Sequence, residues 1–224
     1  MISIIIPTFN EENNIENLLI ELNKIKGNNE IIIVDGGSSD KTIEIASKYA
    51  LTLTSSKGRA NQMNAGAKIA KGDILWFLHC DSQIHSDSLS YIEKTIEKSF
   101  IGGAFSLDFY DDNRLFLKYI AKTSTLRAKY LKLIFGDQGM FLKKDLFLNM
   151  NGFKNMPLME DWDFSVRLKK QGKTKILDLP LKTSARRFKK GSALKTHLFM
   201  HKIKLLYILG VPTDKLSKMY KDIR

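Results

Sequence analysis

Three short apolar runs, each ending in polar residues, constrain this chain more than any other feature. They are Ser3 to Pro7 leading into Thr8-Phe9-Asn10-Glu11, Glu30 to Asp35 leading into Gly36-Gly37, and Asp73 to His79 leading into Cys80-Asp81. Continuous apolar runs of this kind mark strands buried on both faces, as in parallel sheets. Between them Ile15, Leu18, Leu19 and Leu22 recur at helical spacing. Asn10 reads as the N-cap of that helix, with Glu11 and Glu12 in a first turn whose dipole favours acids. Lys41 to Tyr49 reads as a second helix, Leu51 to Thr54 as a strand, and Arg59 to Ala70 as a helix of small residues. Strands alternating with helices imply βαβ units, and so an α/β fold with a largely parallel sheet flanked by helices. Ligands of such sheets lie beyond the carboxyl ends of the strands. All three polar clusters fall there.

The second half is less regular. Strands are expected at Gly102 to Tyr110, Met140 to Leu142 and Lys175 to Leu179. Helices are expected at Ser86 to Lys98, Asn113 to Leu133, Glu160 to Gln171 (closed by Gly172) and Leu194 to Leu209. The chain is long enough for one sizeable core. The expected division is one domain over 1–190 and a basic amphipathic helical extension over 191–224, packed on or beside it. The lone cysteine, Cys80, excludes an internal disulfide framework and suits a reducing compartment. A signal peptide is not expected, because Ile2 to Pro7 already reads as a strand. The apolar stretch near Leu205 to Val211 is too short to span a bilayer. A cytoplasmic protein is expected, at the inner face of the plasma membrane if its basic tail engages lipid.

The net charge of +12 admits nucleic acid, anionic lipid or phosphorylated small molecules as partners, or a merely lysine-rich composition. Basic residues gather late, at Arg186-Arg187-Phe188-Lys189-Lys190 and at Lys195, Lys202 and Lys204. The last helix can lie in a membrane interface with these lysines near anionic headgroups. Alternatively, its leucines pack on the domain and the lysines are solvated.

Several acids can carry chemistry. Asp35, followed by two glycines that allow close backbone approach, can accept hydrogen bonds from a base or ribose, or can simply close a turn. Gly58-Arg59 opens a helix whose N–H groups and guanidinium suit phosphate, unless the arginine is only solvated. Asp81, with Ser82 and Gln83 beside it, can hold Mg²⁺ or Mn²⁺ against a diphosphate, or can cap the following helix. Glu160, Asp161 and Asp163 fall in the first turn of a helix, where the dipole alone favours them. One of them can instead be a general base. Asp161 and Asp163, two residues apart, do not share a helical face.

Taken in order, Ser3-Ile-Ile-Ile-Pro-Thr-Phe-Asn-Glu-Glu, Val34-Asp-Gly-Gly-Ser-Ser-Asp-Lys-Thr, Gly72-Asp-Ile-Leu-Trp-Phe-Leu-His-Cys-Asp and Glu160-Asp resemble family 2 glycosyltransferases of the GT-A fold. Gly58-Arg-Ala-Asn-Gln-Met-Asn-Ala-Gly-Ala, Gly136-Asp-Gln-Gly-Met-Phe and Thr183-Ser-Ala-Arg-Arg-Phe resemble a small bacterial subgroup of them. The resemblance implies a Rossmann-like, mostly parallel mixed sheet and an inverting transfer from a UDP- or GDP-sugar. The implied acceptor is a glycan or lipid phosphate, and the implied metal is Mg²⁺ or Mn²⁺. It implies that Pro7, Thr8, Phe9, Asn10, Glu11, Asp35 and Gly36 embrace the nucleoside. Gly58, Arg59, Gln62, Asn64 and Cys80 would lie near the base or diphosphate. Asp81 matches the last acid of the family's Asp-x-Asp metal motif, whose first acid is replaced here by His79. Gln83 matches a metal-coordinating position of dolichol-phosphate-mannose-synthase-like members. Asp161, next to Glu160, matches the catalytic base, and Gln138, Arg186 and Arg187 would meet the acceptor or a phosphate.

Two other readings fit less well. A sugar-nucleotide nucleotidyltransferase normally has a glycine-rich loop with a basic residue after its first strand, and an NAD enzyme wants Gly-x-Gly-x-x-Gly. This chain has Pro-Thr-Phe-Asn-Glu-Glu. A nucleic-acid-binding module suits the charge, but acids at three strand ends repel phosphate, so no nucleic-acid partner is expected.

Overall fold

Isoleucines alternate across the first strand, and that alternation sets the layers. In the computed structural model, which describes residues 1–221, β1 is Ile2–Thr8. Ile4 and Ile6 point into one core with Ile15, Leu18 and Leu19, while Ile5 points into another with Ala60, Met63 and Phe77. A strand covered on both faces has no polar alternation, which is why β1 reads as a continuous apolar run. Burying each such side chain is worth ~1.5–3 kcal/mol. Residues 222–224 of the expected extension lie outside the described residues.

The chain continues through α1 (Ile15–Lys24), β2 (Asn29–Asp35), α2 (Thr42–Ala46), β3 (Leu51–Thr54), α3 (Arg59–Ile69) and β4 (Ile74–Phe77). Then come β5 (Ser82–Gln83), α4 (Ser88–Glu97), β6 (Gly102–Phe109), α5 (Leu115–Leu131), β7 (Phe141–Lys143) and α6 (Lys144–Asn149). The last elements are α7 (Glu160–Leu168), β8 (Thr174–Thr183), α8 (Arg186–Lys189), α9 (Ala193–Ile208) and α10 (Thr213–Lys221). One sheet holds the strands in the order β3-β2-β1-β4-β7-β6-β8-β5. The pairs β1/β2, β1/β4, β2/β3 and β6/β8 are parallel. β7 runs antiparallel between β4 and β6, and β5 pairs antiparallel with β8. The expected parallel α/β half is therefore present, joined to a mixed half.

Three expectations need correction. Asn10 does not cap α1, which begins at Ile15; Asn10 itself has φ 53°. Its amide donates to Ser38 Oγ (2.8 Å) and its side-chain oxygen accepts from Ser39 N (2.9 Å), tying the loop after β1 to the loop after β2. Asp81 does not cap α4, because β5 intervenes. Finally, β8 runs on past Leu179 to Thr183. Pro180 signals a strand end because it lacks an N–H, but a register irregularity opposite Phe105 and Ser106 absorbs it.

The small residues of α3 have a steric purpose. A Cβ on Gly66 would stand 2.6 Å from Ile5 Cγ2 and 3.0 Å from Val34 Cγ2, so the helix lies flush on β1 and β2. That close seat carries Arg59, at the helix start, to the carboxyl edge of the sheet.

Candidate active site

The polar strand ends do converge, but with different duties. Thr8 and Asp35 are register partners at the ends of β1 and β2. Asp35 is 1% exposed and accepts from Gly37 N (2.7 Å), Ser38 N (2.8 Å), Ser38 Oγ (2.5 Å) and Thr8 Oγ1 (3.2 Å). A carboxylate has about four acceptor positions, so the loop itself fills them. A base or ribose reaches an Asp35 oxygen only by displacing one of these donors. Gln62 and Asn64 are spent on the scaffold as well. Gln62 Nε2 donates to Thr8 O (2.7 Å) and Val34 O (2.8 Å), beneath Gly36. Asn64 exchanges two hydrogen bonds with the backbone of Phe153. Both side chains are thus engaged by the backbone beneath the loops they were expected to serve. Phe9 is 37% exposed, with Lys57 Nζ lying 3.4 Å over one face of its ring. Pro7 contributes a carbonyl that accepts from the buried Cys80 thiol, whose ionisation burial pushes well up.

Two arginines, Arg59 and Arg186, line a cavity of ≈ 280 Å³ beyond the strand ends. Arg59, just after Gly58, places Nε 2.8 Å from Glu160 Oε1. Arg186, in α8, donates to both oxygens of Glu11 (2.9 and 3.1 Å) and stands 3.3 Å from Asp81. Glu160 is buried and serves as counter-ion to Arg59. Asp81, His79 and Asp161 line the same cavity. Burial pushes the Asp81 carboxyl up against the opposing pull of Arg186. Burial, then Arg59, pushes His79 down to about 3, so its imidazole is neutral at ordinary pH. Gly136 must lack a side chain here, since a Cβ would meet His79 Nε2 at 2.6 Å. Gln83 shares a second, smaller recess with Asp81 and Cys80.

The acids at the start of α7 separate as their spacing demands. Asp161 faces the cavity, with Oδ2 accepting from Gly136 N (3.0 Å) and Oδ1 from Trp162 N (2.7 Å). Asp163 turns away, bonded to Lys154 (2.7 Å) and Arg167 (2.8 Å). Met159, immediately before the pair, sits at φ 69°. A left-handed non-glycine residue is a strained position that surrounding structure must hold, and such positions gather at functional sites.

The far wall holds Arg187, which the sequence reading placed at the acceptor, and Arg127 and Lys204, which it did not place at the site. Arg127 of α5 stacks 3.8 Å from the Phe135 ring and donates to Gln138 Oε1 (2.8 Å). Gln138 is fully buried and also donates to Phe105 O, so it positions Arg127 and cannot touch an acceptor, a correction to its expected role. Lys204 of α9 leans over the same ring at 5.0 Å, and burial with Arg127 nearby pushes it down to about 8. Arg187 meets Tyr220. A lysine among many gives no sequence signal that it alone turns inward.

A family model described as Glycosyl transferase family 2 matches residues 3–150. An uncharacterized glycosyltransferase of Haemophilus influenzae is 27% identical over 182 residues, 75% of this chain and 62% of the relative. The chain thus spans under two thirds of that relative's length. S. aureus TarS in complex with UDP superposes with TM-score 0.65 at 20% identity, over 82% of this chain and 60% of that one. The mannosyltransferase PcManGT of Pyrobaculum calidifontis, in complex with GDP-Man and Mn²⁺, superposes with TM-score 0.66 at 20% identity, over 91% and 64%. The sheet is that of GT-A glycosyltransferases, and with three of the four motifs at strand ends on one edge, the fourth opening α7, and the family model covering most of the chain, this protein belongs to glycosyltransferase family 2.

Proposed function

We propose that the chain transfers a sugar from a UDP- or GDP-sugar to an acceptor hydroxyl or phosphate, inverting the anomeric centre. One observation carries this reading: Asp161, Arg59 and Asp81 open into one cavity at the carboxyl edge of the sheet. The nucleotides in the two superposed structures, UDP and GDP-Man, support the donor class. The nucleoside lies against the loops after β1 and β2, with Phe9 offering a stacking face and Asn10, Glu11 and Asp35 shaping the walls. Arg59 faces the diphosphate and stabilises the charge that develops as it leaves. Asp161, held by two backbone N–H groups, takes the proton from the acceptor hydroxyl as it attacks the anomeric carbon. The carbon–oxygen bond to the diphosphate breaks as the new one forms on the opposite face, with no covalent enzyme intermediate.

Among the described residues no three His, Cys, Asp or Glu side chains come together to cage a metal. Asp81 alone, with neutral His79 and Gln83 flanking it, nevertheless suits Mg²⁺ or Mn²⁺. These ions bind through one or two carboxylates and complete their shell with substrate phosphates and water. The ion when bound neutralises the leaving diphosphate. A panel of UDP-, GDP- and other sugar nucleotides tests the assignment. The expected result is slow, metal-dependent release of one nucleoside diphosphate that chelation abolishes. Intact donors throughout the panel contradict it.

A further inference from the structure

Of the two arrangements open to α9, its leucines do not take the one packed on the domain. Leu194, Leu198, Leu205 and Ile208 are all more than half exposed, while Ala193, Thr196 and Ile203 face inward. Leu194, Leu198, Leu205 and Ile208 follow one another at spacings of four, seven and three, which is one helical stripe, and His201 between them reaches the rim of the cavity. The neighbouring helix repeats the pattern. On α5, Leu115 (83% exposed), Tyr119, Lys122, Leu126 and Tyr130 form a second outward stripe. The two helices touch where His197 packs edge-on against Phe116 and Tyr119. Most exposed large apolar side chains of the protein sit on this pair.

The charge on the pair is of one sign. Neither α5 nor α9 contains an Asp or Glu. Lys118, Lys122, Lys195 and Lys202 are exposed on them with no carboxylate within ion-pair distance among the described residues; Lys129 alone reaches Asp178, at 4.0 Å. A second copy seated on this face would bring lysine against lysine with no acid to pair. An anionic bilayer matches both features, since leucine and tyrosine side chains enter the headgroup boundary and lysines meet lipid phosphates. Among the described residues no helix is long and apolar enough to cross a membrane, so the contact is interfacial.

We propose that the outer faces of α5 and α9 together dock this protein on an anionic lipid surface. The inner faces of the same helices, through Arg127 and Lys204, line the cavity that holds Asp161. Docking therefore sets the catalytic cleft beside the lipid.

Vesicle co-sedimentation of the full chain, without donor, tests this independently of sugar transfer. Vesicles of phosphatidylcholine with about 30 mol% phosphatidylglycerol are compared with phosphatidylcholine alone. Binding is expected only with the anionic vesicles, and is expected to weaken as salt rises from about 0.1 to 0.5 M. Lys118→Glu with Lys195→Glu and Lys202→Glu should lower affinity at least ~10²-fold, at about fivefold per lysine removed. Leu198→Ser with Leu205→Ser should also weaken binding at least about tenfold, through lost insertion. Both sets alter exposed side chains and should leave the unfolding midpoint in place. Equal recovery in the supernatant with both vesicle types at low salt overturns the proposal. So does binding that the leucine pair leaves unchanged, or a dimer that the leucine pair dissolves in a protein that ignores vesicles.

Discussion

Asp161→Asn is expected to lower turnover at least ~10²-fold, the usual scale for a general base, while donor affinity stays within about twofold of wild type. Asparagine is isosteric and keeps one acceptor oxygen, for Gly136 N at 3.0 Å, but gives up the oxygen that accepts from Trp162 N at 2.7 Å. Unchanged donor affinity in the variant shows that the cavity survives that loss, and the fall in turnover then reports proton transfer. Asp163→Asn is the matched control two residues on. Its carboxylate holds Lys154 and Arg167 outside the cavity. Partly exposed ion pairs are each worth up to ~1 kcal/mol, so this variant should lose a little stability and little turnover. If Asp163→Asn is the inactive variant, the base has been assigned to the wrong acid.

Asp81→Ala should remove the metal dependence of nucleotide binding and leave the fold intact. In the wild type, Mn²⁺ is expected to tighten binding of the preferred nucleoside diphosphate by ~10²-fold, about 2.7 kcal/mol, within the reach of one divalent cation bridging carboxylate and phosphates. In the variant that enhancement should shrink to less than about threefold. Arg186 keeps Glu11 as partner when Asp81 is gone, so the wall between α8 and the loop after β1 should hold. Titrations of each protein with and without Mn²⁺ give the comparison directly. An undiminished metal effect in Asp81→Ala places the ion elsewhere.

The first half of the fold was legible because its signals are local. Apolar runs such as Ile31-Ile32-Ile33-Val34 announce strands covered on both faces, and the helical spacing of Ile15, Leu18, Leu19 and Leu22 announces what covers one of them. The short strand β5 was not legible, since its two residues are strand only through pairing with Lys182 and Thr183, about a hundred positions away. Pro180 hid the end of β8 because the compensating irregularity lies in the pairing with another strand.

The candidate site divided in the same way. Asp81 was visible as an acid just past a strand, and Asp161 as one of the acids in the first turn of a helix. Whether an oxygen stays free depends on donors distant in sequence. Thr8 bonds Asp35, and the amides of Gln62 and Asn64 are taken by carbonyls and by the turn at Phe153. The direction of each lysine on α9 was hidden too. Lys202 and Lys204 look alike in sequence, but only Lys204 reaches the Phe135 ring.

The edge formed by the loops after β1, β2 and β4 is proposed here as a sugar-nucleotide site. Calorimetric titration of the wild-type protein with UDP, GDP and other nucleoside diphosphates in Mn²⁺ measures it most directly. Saturable binding of one of them at a single site per chain is expected, matched by its sugar conjugate and retained in Asp161→Asn. Absence of binding by every nucleoside diphosphate and sugar nucleotide, with Mn²⁺ or Mg²⁺ present, would contradict it.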